Sequence, residues 1–196
     1  MVTGAASGIG RATALAFARA GSNVAISDID ARGLEETRVA AESMGVRVVA
    51  TRLDVSDRAA VYACAEETAA ELGEVNVVVN NAGVACAGRI KDLSYDDLEW
   101  VMNIDFWGVV YGTKAFLPHL ERARWGHVVN ISSVFGMIAV PTQGAYNAAK
   151  FAVRGFTECL RQELEVDRST VSATSVHPGG IKTAIAANAR FVGAED

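Results

Sequence analysis

Thr3-Gly4-Ala5-Ala6-Ser7-Gly8-Ile9-Gly10 is the stretch on which the fold turns. Met1-Val2 leads into it as the end of a strand, and Ile9 to Ala20 follows as a helix rich in alanine. Glycines between a strand and a helix let the backbone turn tightly and approach a pyrophosphate, whose charge is met by amides at the helix N-terminus. The spacing is G-x-x-x-G-x-G, and alone it also fits a tight turn with no ligand. The next β-branched run, Val24-Ala25-Ile26, leads to Asp28, 18 residues past Gly10. A carboxylate there can accept hydrogen bonds from an adenosine ribose, or it can cap the helix that begins near Asp30. Neither Ile29 nor Ser7 offers a cation to a 2′-phosphate, and Asp28 would repel one. The stretch therefore reads as NAD in preference to NADP, with Arg11 and Arg32 keeping NADP as an alternative.

Outward from this motif, short apolar runs alternate with helical patterns. Val24–Ile26, Val46–Thr51, Val75–Val79, His127–Ile131 and Val171–Val176 are expected as strands covered on both faces. Ile9–Ala20, Ala31–Met44, Arg58–Leu72, Tyr95–Leu120 and Ala145–Val166 are expected as helices. Gly21 and Gly45 suit left-handed positions just past helix ends, and Ser56 and Ser94 suit N-caps. The alternation predicts an α/β fold, a doubly wound parallel sheet with helices on both faces. With 196 residues, three scattered prolines and no linker or repeat, residues 1–196 read as a single domain.

Composition narrows the function. Lys plus Arg is 18 against 23 for Asp plus Glu, a net charge of −5, which argues against a nucleic-acid platform. No apolar stretch reaches the length of a membrane span, and no signal-peptide pattern opens the chain, so a cytoplasmic location is expected. Cys64, Cys86 and Cys159 lie far apart and read as reduced thiols. His119 and His127 lack ligand-spaced partners, so no metal site is expected.

Tyr146-Asn147-Ala148-Ala149-Lys150 puts a phenol and an ammonium at i and i+4, on one helix face. A phenol ordinarily titrates near pH 10, and a neighbouring cation lowers that by about 1–3 units. Such a tyrosine becomes a usable general acid and base. The same spacing is also a common surface pairing.

In this context the chain resembles the short-chain dehydrogenase/reductase family over essentially its whole length. Seven motifs occur in order: the glycine turn at Thr3–Gly10, Asp54-Val55, Asn80-Asn81-Ala82-Gly83, Asn103 in Met102-Asn103-Ile104, Ser132-Ser133 at a strand end, Tyr146 to Lys150, and Pro178 to Thr183. The family's spacing of thirteen residues to the tyrosine selects Ser133 over Ser132. The resemblance implies that Tyr146 exchanges the substrate's hydroxyl proton, that Ser133 binds the substrate oxygen, and that Lys150 binds nicotinamide ribose and lowers the Tyr146 pKa. It implies that Asn103 holds a water linking Lys150 to solvent. Gly4, Ser7, Gly8, Ile9, Gly10, Asp28, Asp54, Val55, Asn81, Tyr146, Lys150, Ile181 and Thr183 are the implied cofactor contacts. The implied activity is hydride transfer between NAD, or alternatively NADP, and a small-molecule secondary alcohol or carbonyl compound.

The other polar and aromatic residues take plainer readings. Ser132 is expected to satisfy backbone, Asn80 to brace the sheet, His177 to bond locally, and Trp100, Trp107 and Trp125 to serve core or interface. Apolar residues on two faces of the helices Asp105–Leu120 and Ala145–Val166, with the resemblance, imply a homodimer or homotetramer. Relative to the family the first strand is shortened and a C-terminal strand is missing, an apparent truncation at both ends. The alternative reading is a non-catalytic dinucleotide-binding fragment acting as an interaction module.

Overall fold

The computed structural model describes residues 1–181 and 183–193. The glycine turn lies between a two-residue strand β1 (Val2–Thr3) and helix α1 (Gly8–Arg19). The chain continues through β2 (Val24–Asp28), α2 (Ala31–Glu42), β3 (Val48–Arg52), α3 (Arg58–Leu72), β4 (Val77–Asn80) and a short β5 (Cys86–Ala87). Then come α4 (Tyr95–Met102), a π-helical turn (Asn103–Trp107), α5 (Gly108–Arg122), β6 (Gly126–Ile131), α6 (Gly144–Val166), β7 (Val171–Val176) and β8 (Arg190–Phe191).

Six strands form one parallel sheet in the order β3-β2-β1-β4-β6-β7. The order reverses at β1, so the crevice beside that strand's carboxyl end is where a doubly wound sheet binds its ligand. The stub β1 still pairs with both neighbours, Val2 opposite Ile26 on one side and Val79 on the other. A separate two-stranded pair, β5 with β8, has no counterpart in the sequence reading.

Two cores flank the sheet. On one face Phe116 and Leu120 of α5 pack with Val61 and Ala65 of α3, Leu160 and Leu164 of α6, and Val78 and Val128 from the strands. Full burial of a side chain as large as Phe116 or Leu120 contributes about 1.5–3 kcal/mol. On the other face Ala14 and Ala18 of α1 and Leu34 and Ala41 of α2 cover Val2, Val24 and Ile26. This second cover reaches β6 through the half-buried Val129 and Ile131 but leaves much of β7 open. β6 alternates buried and half-buried residues, and β7 alternates buried and exposed ones at its start. The expectation of strands covered on both faces thus holds for β2, holds in part for β6 and fails for β7.

Local boundaries follow capping chemistry. Gly21 and Gly45 adopt φ of 84° and 83°, the left-handed conformation expected past a helix end. Ser94 and Asp97 form a reciprocal capping box at α4. Ser56 does not cap α3, because its N–H and hydroxyl both donate to Asp54 Oδ1; Asp57 caps Ala60 N–H one residue later. The single helix expected over Tyr95–Leu120 is divided by the π turn, which carries the next residues to new azimuths.

Candidate active site

Gly4 and Gly8 have φ of 67° and 53°, a left-handed backbone that disfavours any Cβ. Gly10 lies against the Gly4 carbonyl, with no room for a side chain. The turn is braced from two strands. Asn81 Nδ2 donates to the carbonyls of Thr3 (2.9 Å) and Gly4 (3.3 Å). Thr3 Oγ1 accepts the N–H groups of Asn81 and Ala82 at 2.9 and 3.0 Å. Asp28 Oδ2 accepts Ala6 N–H at 2.9 Å, and Oδ1 accepts Asp30 N–H at 3.0 Å. Asp30, not Asp28, caps α2. Each Asp28 oxygen keeps a lone pair for another donor.

One cavity of about 570 Å³ runs along the turn and collects Gly4, Ser7, Gly8, Ile9, Asp28, Asp54, Val55, Asn81, Ser133, Tyr146, Lys150, Ile181 and Thr183. Thirteen of the fifteen residues expected at a site therefore share one space. Gly10 lies beneath it, inside α1. Asn103 is exposed and lies off the cavity wall. The side chain beside Lys150 is that of Asp105, two positions past Asn103. Its Oδ2 is 3.1 Å from Lys150 Nζ, with side-chain exposures of 0% and 3%. Residues two apart on a helix point to opposite sides. Asp105 falls on the buried row of Val101, Gly108, Val109 and Gly112, and Asn103 does not. That spacing was the signal that could have found it.

The Lys150 ammonium also donates to Ile131 O at 3.2 Å and lies 5.4 Å from the centroid of the Tyr146 ring. Phe135 meets that ring edge-on, with centroids 6.2 Å apart. Burial pulls the Lys150 pKa down; the opposing charges of Asp105 and then Tyr146 outweigh it and leave it above the ordinary lysine value. Burial pushes the Asp105 carboxyl up, against the pull of Lys150 and of Val84 N–H.

The two serines divide as expected. Ser132 Oγ donates to Lys150 O at 2.8 Å, a backbone duty. Ser133 Oγ accepts Phe135 N–H at 3.1 Å, which leaves its O–H free to donate into the cavity. His177 Nδ1 lies 3.1 Å from Ser133 O, a local contact. Asn80 braces the sheet interior through Asn130 and Thr113. Thr183 lies across the glycine turn, its methyl 3.3 Å from where a Gly8 Cβ would be.

Other placements revise the sequence reading. Arg11 is committed to Thr37, Gly33 O and Glu36, and Arg32 lies 3.6 Å from Glu36. Trp100 lines the cavity with Ile104, Ala184 and Ile185, and the Arg190 guanidinium sits 3.5 Å over its ring. Among the two other tryptophans, Trp107 stacks on Tyr111 and Trp125 is exposed. No signal in the sequence marked Trp100 as a cavity wall.

Comparison with known proteins agrees with this fold. Residues 1–191 match the short chain dehydrogenase family. SadH of Mycobacterium tuberculosis, named as an oxidoreductase, is 54% identical over the whole chain, which spans 71% of that protein. A short chain dehydrogenase/reductase from Burkholderia phymatum, solved in complex with NAD, superposes with a TM-score of 0.93 at 34% identity. That match covers 95% of this chain and 67% of the other. An alcohol dehydrogenase from the archaeon Thermococcus sibiricus, complexed with 5-hydroxy-NADP, gives a TM-score of 0.89 at 29% identity. There the coverage is 96% of this chain and 79% of the other. The chain belongs to the short-chain dehydrogenase/reductase family.

Proposed function

We propose that the protein is an NAD-dependent oxidoreductase that interconverts a secondary alcohol and its carbonyl compound, with Tyr146 as general acid and base. The observation that carries this reading is Lys150, buried and cationic beside the Tyr146 ring, on the wall of the cavity that also holds the glycine turn. The residues present fit a dinucleotide: a left-handed glycine cradle at the start of α1, a carboxylate at the end of β2, and a continuous cavity from one to Tyr146. A bound nicotinamide cofactor supplies or accepts the hydride.

The chain's own residues do the rest. Gly4, Ser7, Gly8 and Ile9 meet the pyrophosphate, with Gly10 allowing close packing of α1 beneath. Asp28 receives the adenosine ribose hydroxyls, Asp54 and Val55 border the adenine, and Asn81 holds the turn in shape. Ile181 and Thr183 border the carboxamide end. Lys150 binds the nicotinamide ribose, with its ammonium beside the Tyr146 ring. Ser133 donates its free O–H to the substrate oxygen, where charge develops during transfer. Tyr146 gives that oxygen its proton in reduction and takes it in oxidation.

NAD is preferred over NADP in this reading because Asp28 and Asp30 both border the ribose end, and Arg11 is spent on α2. Trp107 at the end of the π turn and Phe151 of α6, both exposed, mark the face through which a homodimer or homotetramer would form. No helix among the described residues is long and apolar enough to cross a membrane.

The test pairs NADH affinity with turnover on a panel of secondary alcohols and ketones. Tyr146→Phe should keep NADH affinity and lose about 10²–10⁴-fold in turnover. Retained turnover would overturn the proposed chemistry. Ser133→Ala should lower turnover with little change in affinity. Asp28→Ala should narrow the gap between NAD(H) and NADP(H) affinities, and a wild-type preference for NADP(H) would refute the role of Asp28.

A further inference from the structure

We propose that Asp105 is a positioning residue of this centre: its buried carboxylate is the fixed counter-charge that holds the Lys150 ammonium in its slot beside Tyr146. The inference rests on the reading of Lys150 as the ribose ligand beside Tyr146. It goes beyond that reading by naming what keeps a sealed lysine charged.

The geometry is specific. Asp105 Oδ1 is committed to Val84 N–H at 2.8 Å. Oδ2 has no hydrogen-bond partner among the described residues and faces Lys150 Nζ at 3.1 Å, an ion pair without an aligned hydrogen bond. On its other side the ammonium is held by Ile131 O, at the end of β6. Gly83 closes the slot, since a Cβ there would come within 3.2 Å of Asp105 Oδ2 and 3.4 Å of Lys150 Nζ. The carboxylate is delivered by the π turn between α4 and α5, an irregularity that often marks functional sites.

A charged group removed from water must be paired or must give up its charge. Among the described residues the titratable groups acting on Lys150 are Asp105, from the π turn, and Tyr146, from its own helix. The end of β6 offers a carbonyl, the loop after it the Ser132 hydroxyl spent on Lys150 O, and the Gly83–Val84 segment a backbone N–H. Lys150 alone acts as a charge on Asp105. With Asp105 neutral, burial would oppose the charge on Lys150 with only Tyr146 left to favour it. Lys150 would then release its proton at lower pH.

The experiment measures NADH affinity by fluorescence for wild type and Asp105→Asn across the neutral and alkaline range. Wild-type affinity should stay level until strongly alkaline pH. Asp105→Asn should match it at the acid end and then fall by about tenfold per pH unit, from a starting point at least one unit lower. A purely structural asparagine defect would lower affinity evenly at every pH, and that result overturns the proposal. If Asp105→Asn does not fold, NMR titration of wild type labelled at lysine Cε decides instead. The Lys150 signal should titrate above the other lysines, and one that titrates below them overturns the proposal. Neither measurement uses turnover, so an active Tyr146→Phe would defeat the proposed chemistry without touching this result.

Discussion

Two buried polar clusters hang from the same pair of strands, and they are built on opposite principles. Asn80 and Asn130 face each other in register across β4 and β6, 2.8 Å from Nδ2 to Oδ1. Thr113 of α5 and Thr157 of α6 complete a neutral network, Asn130 Nδ2 donating to Thr157 Oγ1 at 3.0 Å. A residue further along β6, Ile131 O leads to Lys150 and Asp105, where the partners are charged and the cavity begins. The neutral cluster spends nearly all its hydrogen-bonding capacity internally, with Asn80 Oδ1 lying against Gly112. The charged pair leaves Asp105 Oδ2 without a hydrogen bond and turns its lysine toward a tyrosine that borders open space. Polar groups that close on themselves fix strand and helix positions; polar groups left partly unspent are available for chemistry.

The contrast breaks first at Lys150. Lys150→Met strands a sealed carboxylate, and removal of one partner from a buried pair costs about 3–5 kcal/mol. Burial already raises the Asp105 pKa above its ordinary value of 3.8, and loss of Lys150 raises it further. A carboxyl with a raised folded pKa contributes its stability below the unfolded value and loses it as pH rises through the folded one. The deficit of Lys150→Met relative to wild type should therefore grow from acid to neutral pH in denaturant titrations. Adding Asp105→Asn should recover most of it. A deficit independent of pH would mean that the pair is not ionic.

Asn130→Ala should cost about 1–3 kcal/mol for each buried group left without a partner. Its cost should be equal at acid and neutral pH, because nothing in that cluster titrates there. Thr157→Val keeps shape while removing the acceptor of Asn130 Nδ2, and should cost about 1 kcal/mol with NADH affinity unchanged. Gly83→Ala sharpens the comparison from the other side. Its unfolded-state gain of about 0.4–1 kcal/mol offsets crowding, so stability should barely move while NADH binding weakens through the displaced pair. Unchanged NADH affinity in Gly83→Ala would show that the slot tolerates displacement.

Much of the site was legible beforehand because glycine turns, strand ends and i, i+4 pairs are local in sequence. The turn at Gly4–Gly10, the carboxylate at Asp28 and the pair Tyr146–Lys150 meet in one cavity as expected. That Asp105 stands beside Lys150 was not legible, for a simple reason. A motif match selects a residue type, whereas the buried row Val101, Asp105, Gly108, Gly112 selects a direction, and the two disagree by two residues. Ser56 failed as a cap for a similar reason, since Asp54 had already captured it.

The sequence by itself determined the alternation of strands and helices, the glycine cradle and the phenol–ammonium pair. Each depends on steric or hydrogen-bonding preferences that act within a few residues. Tertiary structure alone decided that Asp105 stands beside Lys150, that Trp100 borders the cavity, and that β7 keeps an exposed face. Those outcomes depend on helix azimuth and on which elements pack together across the sheet. An angular error of one residue turns a helical side chain through about 100°, and only packing against the opposite wall removes it.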